Sequence, residues 1–164
     1  MTNPILLLNQ GLDGLSREVM NVQLREITKD TVRAVCALEV RDNQKFYVAA
    51  NALSIAQAYF EPTAVFRAVY RGEEPVGFVQ WRNANAPKVA VLWRFMIDRA
   101  HQMAGHGRTA LGLALHEMKA TGFEAVETSV VLGPSSPLKF YLSQGFTEAN
   151  QTTPRGEWLL RKIL

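Results

Sequence analysis

Residues 102–115 read "QMAGHGRTALGLAL", and how this stretch is read decides the fold. Gly105 and Gly107 stand where a turn runs into a helical pattern. Leu111, Leu115 and Met118 recur there at i, i+4 and i+7, and Gly122 stops the helix. Two readings are open: the glycines form a flexible joint, or they belong to a backbone cradle for a phosphate. The cradle has a physical basis. The first N–H groups of a helix have no intrahelical partner, and the helix dipole places about half a positive charge there. Without a Cβ at Gly105 and Gly107 an anion can approach the main chain closely, and Arg108 adds a cation at the rim.

Working outward, "KVAVLWRFMID" (88–98) reads as a long strand feeding the turn, and "EAVETSVVL" (124–132) as the strand after the helix. A short helix over 137–144 is punctuated by Ser136 at its N-cap, Pro137 at its first position and Gly145 past its end. "FTEAN" and "GEWLLRKIL" close the chain as a hairpin. On the other side, "AVFRAVYRGEEPVGFVQWR" is a hairpin turning at Gly72. "NVQLREI" (21–27) alternates as a strand. Thr28 and Asp30 offer caps to a helix through about Val40, on whose apolar stripe Cys36 joins Val32, Val35 and Leu38 as a buried structural thiol. "RDNQKFYVAAN" reads as a loop, and Ser54–Phe60 as a helix stopped by Pro62. The order β-α-α-β-β-β-α-β-α-β-β describes one α/β or α+β domain with a mixed sheet.

Composition narrows the function. The 164 residues suit a single domain over 20–164, with residues 1–19 as an extension because periodicity begins only after Met20. A net charge of +3 suits an anionic ligand and is too small for a nucleic-acid binder. No run approaches a membrane span and no basic leader precedes an apolar one, while the single cysteine rules out a disulfide framework; a cytoplasmic protein is expected. His101, His106 and His116 do not form a metal set, His106 contributing its amide to the turn and His116 facing solvent. Trp81, Trp93 and Trp158 read as strand residues in core or slot walls.

The segment lacks G-x-x-x-x-G-K-[ST] and G-x-G-x-x-G. It matches Q-x-x-G-x-G over Gln102–Gly107, and "FYLSQGF" supplies Y-x-x-x-G-F over Tyr141–Phe146. In this order, on a strand–turn–helix and a short helix, the pair resembles the GNAT superfamily of acyl-CoA N-acyltransferases. The resemblance covers roughly residues 22–163 and is strongest over 91–146. It implies a mostly antiparallel twisted sheet flanked by helices, with a V-shaped split between the fourth and fifth strands. Acetyl-CoA is the implied acetyl donor, and no metal is needed. The backbone of Phe95, Met96 and Ile97 would pair with the pantetheine arm. The amides of Met103, Ala104, Gly105, His106, Gly107 and Arg108 would hold the pyrophosphate, with Gln102 bracing the turn and Tyr141 reaching the sulfur as the acid. Two departures stand out. Pro134 replaces a frequent asparagine, leaving Ser135 or Ser136 to supply the polar contact, and Met103 and Ala104 stand where many members have a glycine and a basic residue.

The chemistry needs a base as well, because an alkylamine with a pKa near ~10.4 is protonated at neutral pH and cannot attack a thioester. Many GNAT enzymes carry a glutamate on the fourth strand; here the stretch is Leu92, Trp93, Arg94. Glu39, Asp42 and Glu61, near the early helices, are the candidates for the base and for binding the acceptor, with Glu61 taken as the base. Residues 38–62 are similar to a bacterial branch that acetylates spermine, spermidine and diamines, so a polyamine is the expected acceptor. Arg41, Lys45 and Arg67 interrupt the acidic field of Glu39, Asp42, Glu61, Glu73 and Glu74. An antibiotic, an amino acid derivative or a protein amine is the alternative acceptor, and a non-catalytic acyl-CoA-binding module the alternative function. No nucleic-acid or membrane partner is expected, and a homodimer is left open.

Overall fold

The computed structural model describes residues 21–164, so the expected extension over 1–19 lies outside the described residues. In chain order the elements are β1 (Val22–Arg25), α1 (Val32–Cys36), a 3-10 turn (Asp42–Gln44), α2 (Asn51–Ala58), β2 (Val65–Arg71), β3 (Glu74–Asn83), β4 (Val89–Ile97), α3 (His106–Ala120), β5 (Ala125–Val130), α4 (Leu138–Ser143), β6 (Thr147–Thr152) and β7 (Trp158–Ile163). The strands form one seven-stranded sheet in the order β1-β2-β3-β4-β5-β7-β6. Every neighbouring pair is antiparallel except β4 and β5, which are parallel. A parallel neighbour needs a crossover, and α3 supplies it. This is the mixed, mostly antiparallel α/β architecture expected from the sequence.

The parallel pair is short. Val89, Ala90 and Val91 register with Ala125, Val126 and Glu127, and there the ladder stops. β4 continues to Ile97 and β5 to Val130 without pairing to each other, which is the V-shaped split. The Thr128 hydroxyl closes its vertex by donating to the Leu92 carbonyl at 3.0 Å. On its other edge β4 carries a bulge. Trp81 registers with Leu92 and Gln80 with Arg94, so Trp93 is the extra residue, and a bulge bends the strand that carries it.

Each sheet face has its own core. Leu111, Ala114 and Met118 of α3 and Tyr141 of α4 pack with Trp81, Ala90, Leu92, Val126 and Leu160 on one face. Val35 of α1 packs with Ala68, Phe78 and Met96 on the other, where Ile55 of α2 joins. Gly77 lets β3 and β4 approach, since a Cβ there would lie 2.5 Å from the Met96 carbonyl oxygen.

The early helices differ from the sequence expectation. The helix expected to run to Val40 ends at Cys36, and Cys36 is half-buried rather than buried. Tertiary bonds capture the chain beyond it: the Glu39 N–H donates to Asp98 Oδ2 at 2.9 Å, and the Arg99 N–H to the Glu39 carbonyl at 2.8 Å. α2 starts at Asn51, before the expected Ser54, because buried Asn51 donates Nδ2 to the Val35 carbonyl at 2.9 Å and so satisfies the end of α1. At α4 the N-cap is Pro137, and Ser136 lies one residue earlier in a turn closed on Gly133.

Candidate active site

The turn between β4 and α3 resolves the two glycines into different roles. Gly105 is the N-cap of α3 with φ +84°, a left-handed conformation that favours glycine, and no side chain caps the helix. Met103, two residues earlier and highly exposed, is also left-handed at φ +66°. Left-handed residues interleaved in a turn make N–H groups converge, which is the geometry of an anion nest. Gly107 is helical, and a Cβ there would meet only Ile97 and Phe140 at ordinary distances of 3.5 and 3.7 Å. Alanine would therefore fit and would favour the helix by up to about 1 kcal/mol. Nothing inside the chain requires Gly107, whereas a ligand lying against the main chain would.

Side chains hold this turn from below. Gln102 donates Nε2 to the Ile97 carbonyl at 2.9 Å and to Gln44 Oε1 at 2.8 Å. The His106 ring, buried in the wall, has Nδ1 at 3.0 Å from the His101 carbonyl, so the imidazole braces the turn. Ala104 and Arg108 are exposed at the rim.

Beyond its vertex the split exposes the edge of β4. The Asp98 N–H bonds to Val76 of β3, and backbone groups alternate along a strand. Met96 therefore turns its amide and carbonyl to β3, while Phe95 and Ile97 turn theirs toward the split. The Phe95 ring stacks on Phe140 at 5.9 Å, lining the same side as Gly107. Tyr141 is buried beside the vertex between Phe140 and Phe146. Burial pushes its phenol well above the ordinary range, and the neighbouring Thr128 hydroxyl works against that shift. Ser135 accepts from Asn43 Nδ2 at 3.0 Å and donates its N–H to the Tyr47 hydroxyl at 3.4 Å, tying the β5–α4 loop to the 3-10 turn.

The three sequence-selected carboxylates do not converge. Glu39 and Asp42 lie at the C-terminal end of β4, where Lys45 stands 3.6 Å from Glu39 and 3.0 Å from Asp42, and Arg99 3.5 Å from Glu39. Lys45 holds the Asp42 carboxyl below the usual range. Glu61 is near the opposite end. It accepts from the Thr63 hydroxyl and N–H, which lower its pKa, and Thr63 in turn accepts from Asn83, the partner of Ala90. Glu73 pairs with Arg25, and Glu74 with Arg71. Among the described residues no group of three His, Cys, Asp or Glu side chains is placed to hold a metal, and no helix is long and apolar enough to cross a membrane.

The sequence model of the Acetyltransferase (GNAT) family matches residues 24–146, most of the chain. The chain belongs to the GNAT acetyltransferase family. Among solved structures it is similar to the GNAT domain of PAT from S. lividans, at 20% identity and a TM-score of 0.71, over 87% of this chain and 90% of that one. It is also similar to PaiA N-acetyltransferase from Thermoplasma acidophilum, a complex with coenzyme A, at 15% identity and a TM-score of 0.67, over 87% and 99%. A third is the ribosomal-protein-S18-alanine N-acetyltransferase from Escherichia coli, at 14% identity and a TM-score of 0.64, over 87% and 93%. No curated protein matches the sequence significantly.

Several residues around this GNAT split escaped the sequence reading. Phe140 and Thr128 sit in elements that were recognised, but only packing shows that one walls the split and the other closes its vertex. Arg94 registered only as a missing glutamate. In the fold it stands just past the bulge, donating Nη1 to the Trp93 carbonyl at 2.7 Å and Nη2 to Gln57 of α2 at 3.1 Å. Glu157, in the β6–β7 loop, accepts from Ser129 of β5 and exerts its charge on Arg94.

Proposed function

We propose that this GNAT protein transfers the acetyl group of acetyl-CoA to the primary amine of a small molecule by direct attack in a ternary complex. The observation that carries the reading is the uncapped N-terminus of α3, with left-handed Gly105 and unconstrained Gly107, set at the end of the strand edge that the split leaves open. The amides of residues 103–108 suit a pyrophosphate. The Phe95 and Ile97 backbone groups suit the amide-bearing pantetheine arm, with an N–H near the thioester carbonyl. Gln102 and Ser135 act as braces, each already engaged by the chain.

In the reaction the amine nitrogen forms the N–C bond with its lone pair, and the C–S bond breaks with its pair on sulfur. An alkylammonium sheds two protons in becoming the amide. One ends on the sulfur and one in solvent. Tyr141 is the group for the sulfur. Its raised pKa exceeds the ~8.5 of a thiol, so complete transfer from phenol to thiolate runs uphill. Its contribution is a hydrogen bond that stabilises the leaving thiolate in a buried setting. For the base, Glu61 is committed to its turn, whereas Glu157 lies beside the split.

A polyamine or diamine acceptor, the sequence expectation, would need free carboxylates around a groove. Glu39, Asp42, Glu73 and Glu74 are each already paired with a cation. A different small amine, such as an amino acid derivative, fits these pairings better. The test is thiol release from acetyl-CoA with a panel of polyamines, aminoglycosides, amino acids and peptides. Release with at least one amine is expected. Acetyl-CoA binding with no release for any amine would instead establish the non-catalytic binding module.

A further inference from the structure

We propose that the acceptor carries a carboxylate next to its amine, gripped by Arg94 at the β4 bulge while Glu157 faces the ammonium. The inference rests on the acetyltransferase reading above and deepens it by naming the acceptor's chemistry.

Arg94 and Arg82, which both contact Trp93, are unlike the other partly buried arginines. Arg25, Arg67, Arg71 and Arg161 each pair with a glutamate at 2.6–2.9 Å. Arg94 has no carboxylate within ion-pairing distance among the described residues, and its two hydrogen-bond partners are neutral oxygens. Its Nε is buried without a partner. The cross-strand neighbour Gln80, fully buried, donates Nε2 to the Ser54 carbonyl and leaves Oε1 equally unpartnered. Burial lowers the Arg94 pKa, the signature of a cation held where water does not compensate it. A desolvated guanidinium without a counter-ion is costly, and an anion from outside the chain removes that cost. The planar fork matches a carboxylate with two parallel bonds.

The surroundings set both place and polarity. The Trp93 ring lies between Arg82 and Arg94, with guanidinium carbons 5.4 and 5.2 Å from its centroid, which fixes the Arg94 fork by cation–π contact. Arg155 adds to the positive field. Glu157, held by Ser129 across the split, adds a negative charge to the field at Arg94 without pairing to it. A positive and a negative group set apart at the vertex match a zwitterion. A diamine would bring a second cation against Arg94. The anion is not the pyrophosphate of the donor, because Arg94 and Gln80 reach α2 on one sheet face while Gly107 packs over Ile97 and Phe140 on the other.

The experiment measures thiol release by the full chain with acetyl-CoA and each L-amino acid beside its own amide, with putrescine as the dicationic probe. The amide's ammonium is the more acidic, so it presents more free amine at neutral pH, and a preference for the acid cannot come from protonation. We expect at least one acid to exceed its amide and putrescine in kcat/KM by about 10- to 100-fold, the scale of one lost hydrogen bond to a charged group. Arg94→Gln should erase that preference by raising the acceptor KM, with acetyl-CoA affinity retained and Tm not lowered, since the uncompensated charge is gone. Arg94→Lys, which keeps charge but loses the fork, should fall between. Amides or putrescine matching the acids overturns the proposal, as does an equal loss on every acceptor in Arg94→Gln. If no amine releases thiol, the transferase reading fails, and the carboxylate site is then read from Tm in the presence of CoA. An amino acid that raises Tm in the wild type but not in Arg94→Gln upholds the site, and no such shift overturns it.

Discussion

Gly107 and Tyr141 carry the sharpest residue-scale consequences. Gly105 is demanded by its φ of +84°, but Gly107 is not demanded by the fold at all. Gly107→Ala should raise the thermal stability of the ligand-free protein by about 0.5–1 kcal/mol through helix propensity. The same change should weaken acetyl-CoA binding by about tenfold or more, the scale of a lost hydrogen bond to a charged group. Calorimetric unfolding and titration read the two effects separately, and unchanged affinity would remove the cradle. Tyr141→Phe should lower turnover by roughly 10- to 100-fold. It also has a pH signature. Tyr141 titrates higher folded than unfolded, so its contribution to stability is complete below about pH 10, the ordinary phenol value, and falls as pH rises toward the folded value, where the unfolded chain has lost the proton. Tm profiles should show a shallower alkaline decline in Tyr141→Phe than in the wild type; coincident profiles would show that Tyr141 is not buried as described.

At the scale of elements, β3, β4 and α3 do the positioning, and the glycines of β3 and α3 separate structure from function. Gly77 sits where β3 meets β4, and a Cβ would reach 2.5 Å from the Met96 carbonyl and 2.8 Å from Ile97 Cδ1. Gly77→Ala should destabilise by about 1–3 kcal/mol, as overpacking does. Gly112, in the middle of α3, has nothing within 4 Å of a built Cβ, so Gly112→Ala should stabilise by about 0.4–1 kcal/mol. Denaturant melts of both variants test the register, and stabilisation by Gly77→Ala would contradict the β3–β4 packing. The same elements show what the sequence made legible. The strand–turn–helix over 89–120 and the short tyrosine helix were readable because periodicity, punctuation and spacing agree there. The early helices were not, because Asp98 and Asn51 bind backbone from far along the chain and override local propensity.

At the scale of the molecule, the proposed donor site is a split rather than a closed cavity, between two sheet halves joined at β4–β5 by three residue pairs and the Thr128 bridge. A ligand that binds only the folded state at a hundredfold excess over its Kd stabilises by about 2.7 kcal/mol. Acetyl-CoA should therefore raise Tm in a concentration-dependent way and slow amide exchange most along Leu92–Ile97, the open edge of β4. Exchange that slows uniformly, or Tm that ignores acetyl-CoA, would contradict the placement.

By itself the sequence determined the mixed sheet, the glycine turn that opens α3 and the family, because each is written in short-range patterns: periodicity, glycine spacing and caps. It also supplied Glu39, Asp42 and Glu61 as candidate carboxylates, but not Glu157, which only the fold brings beside Arg94. Only the tertiary structure decided which of them are free. Glu39 and Asp42 are taken by Lys45 and Arg99, Glu61 by its own turn, and among the described residues Arg94 at the split has no carboxylate paired with it. Charge pairing depends on distances between residues far apart in the chain. No local pattern encodes them, so the glycine turn proposed for the donor was legible in the sequence, and the charges proposed for the acceptor emerged only from the fold.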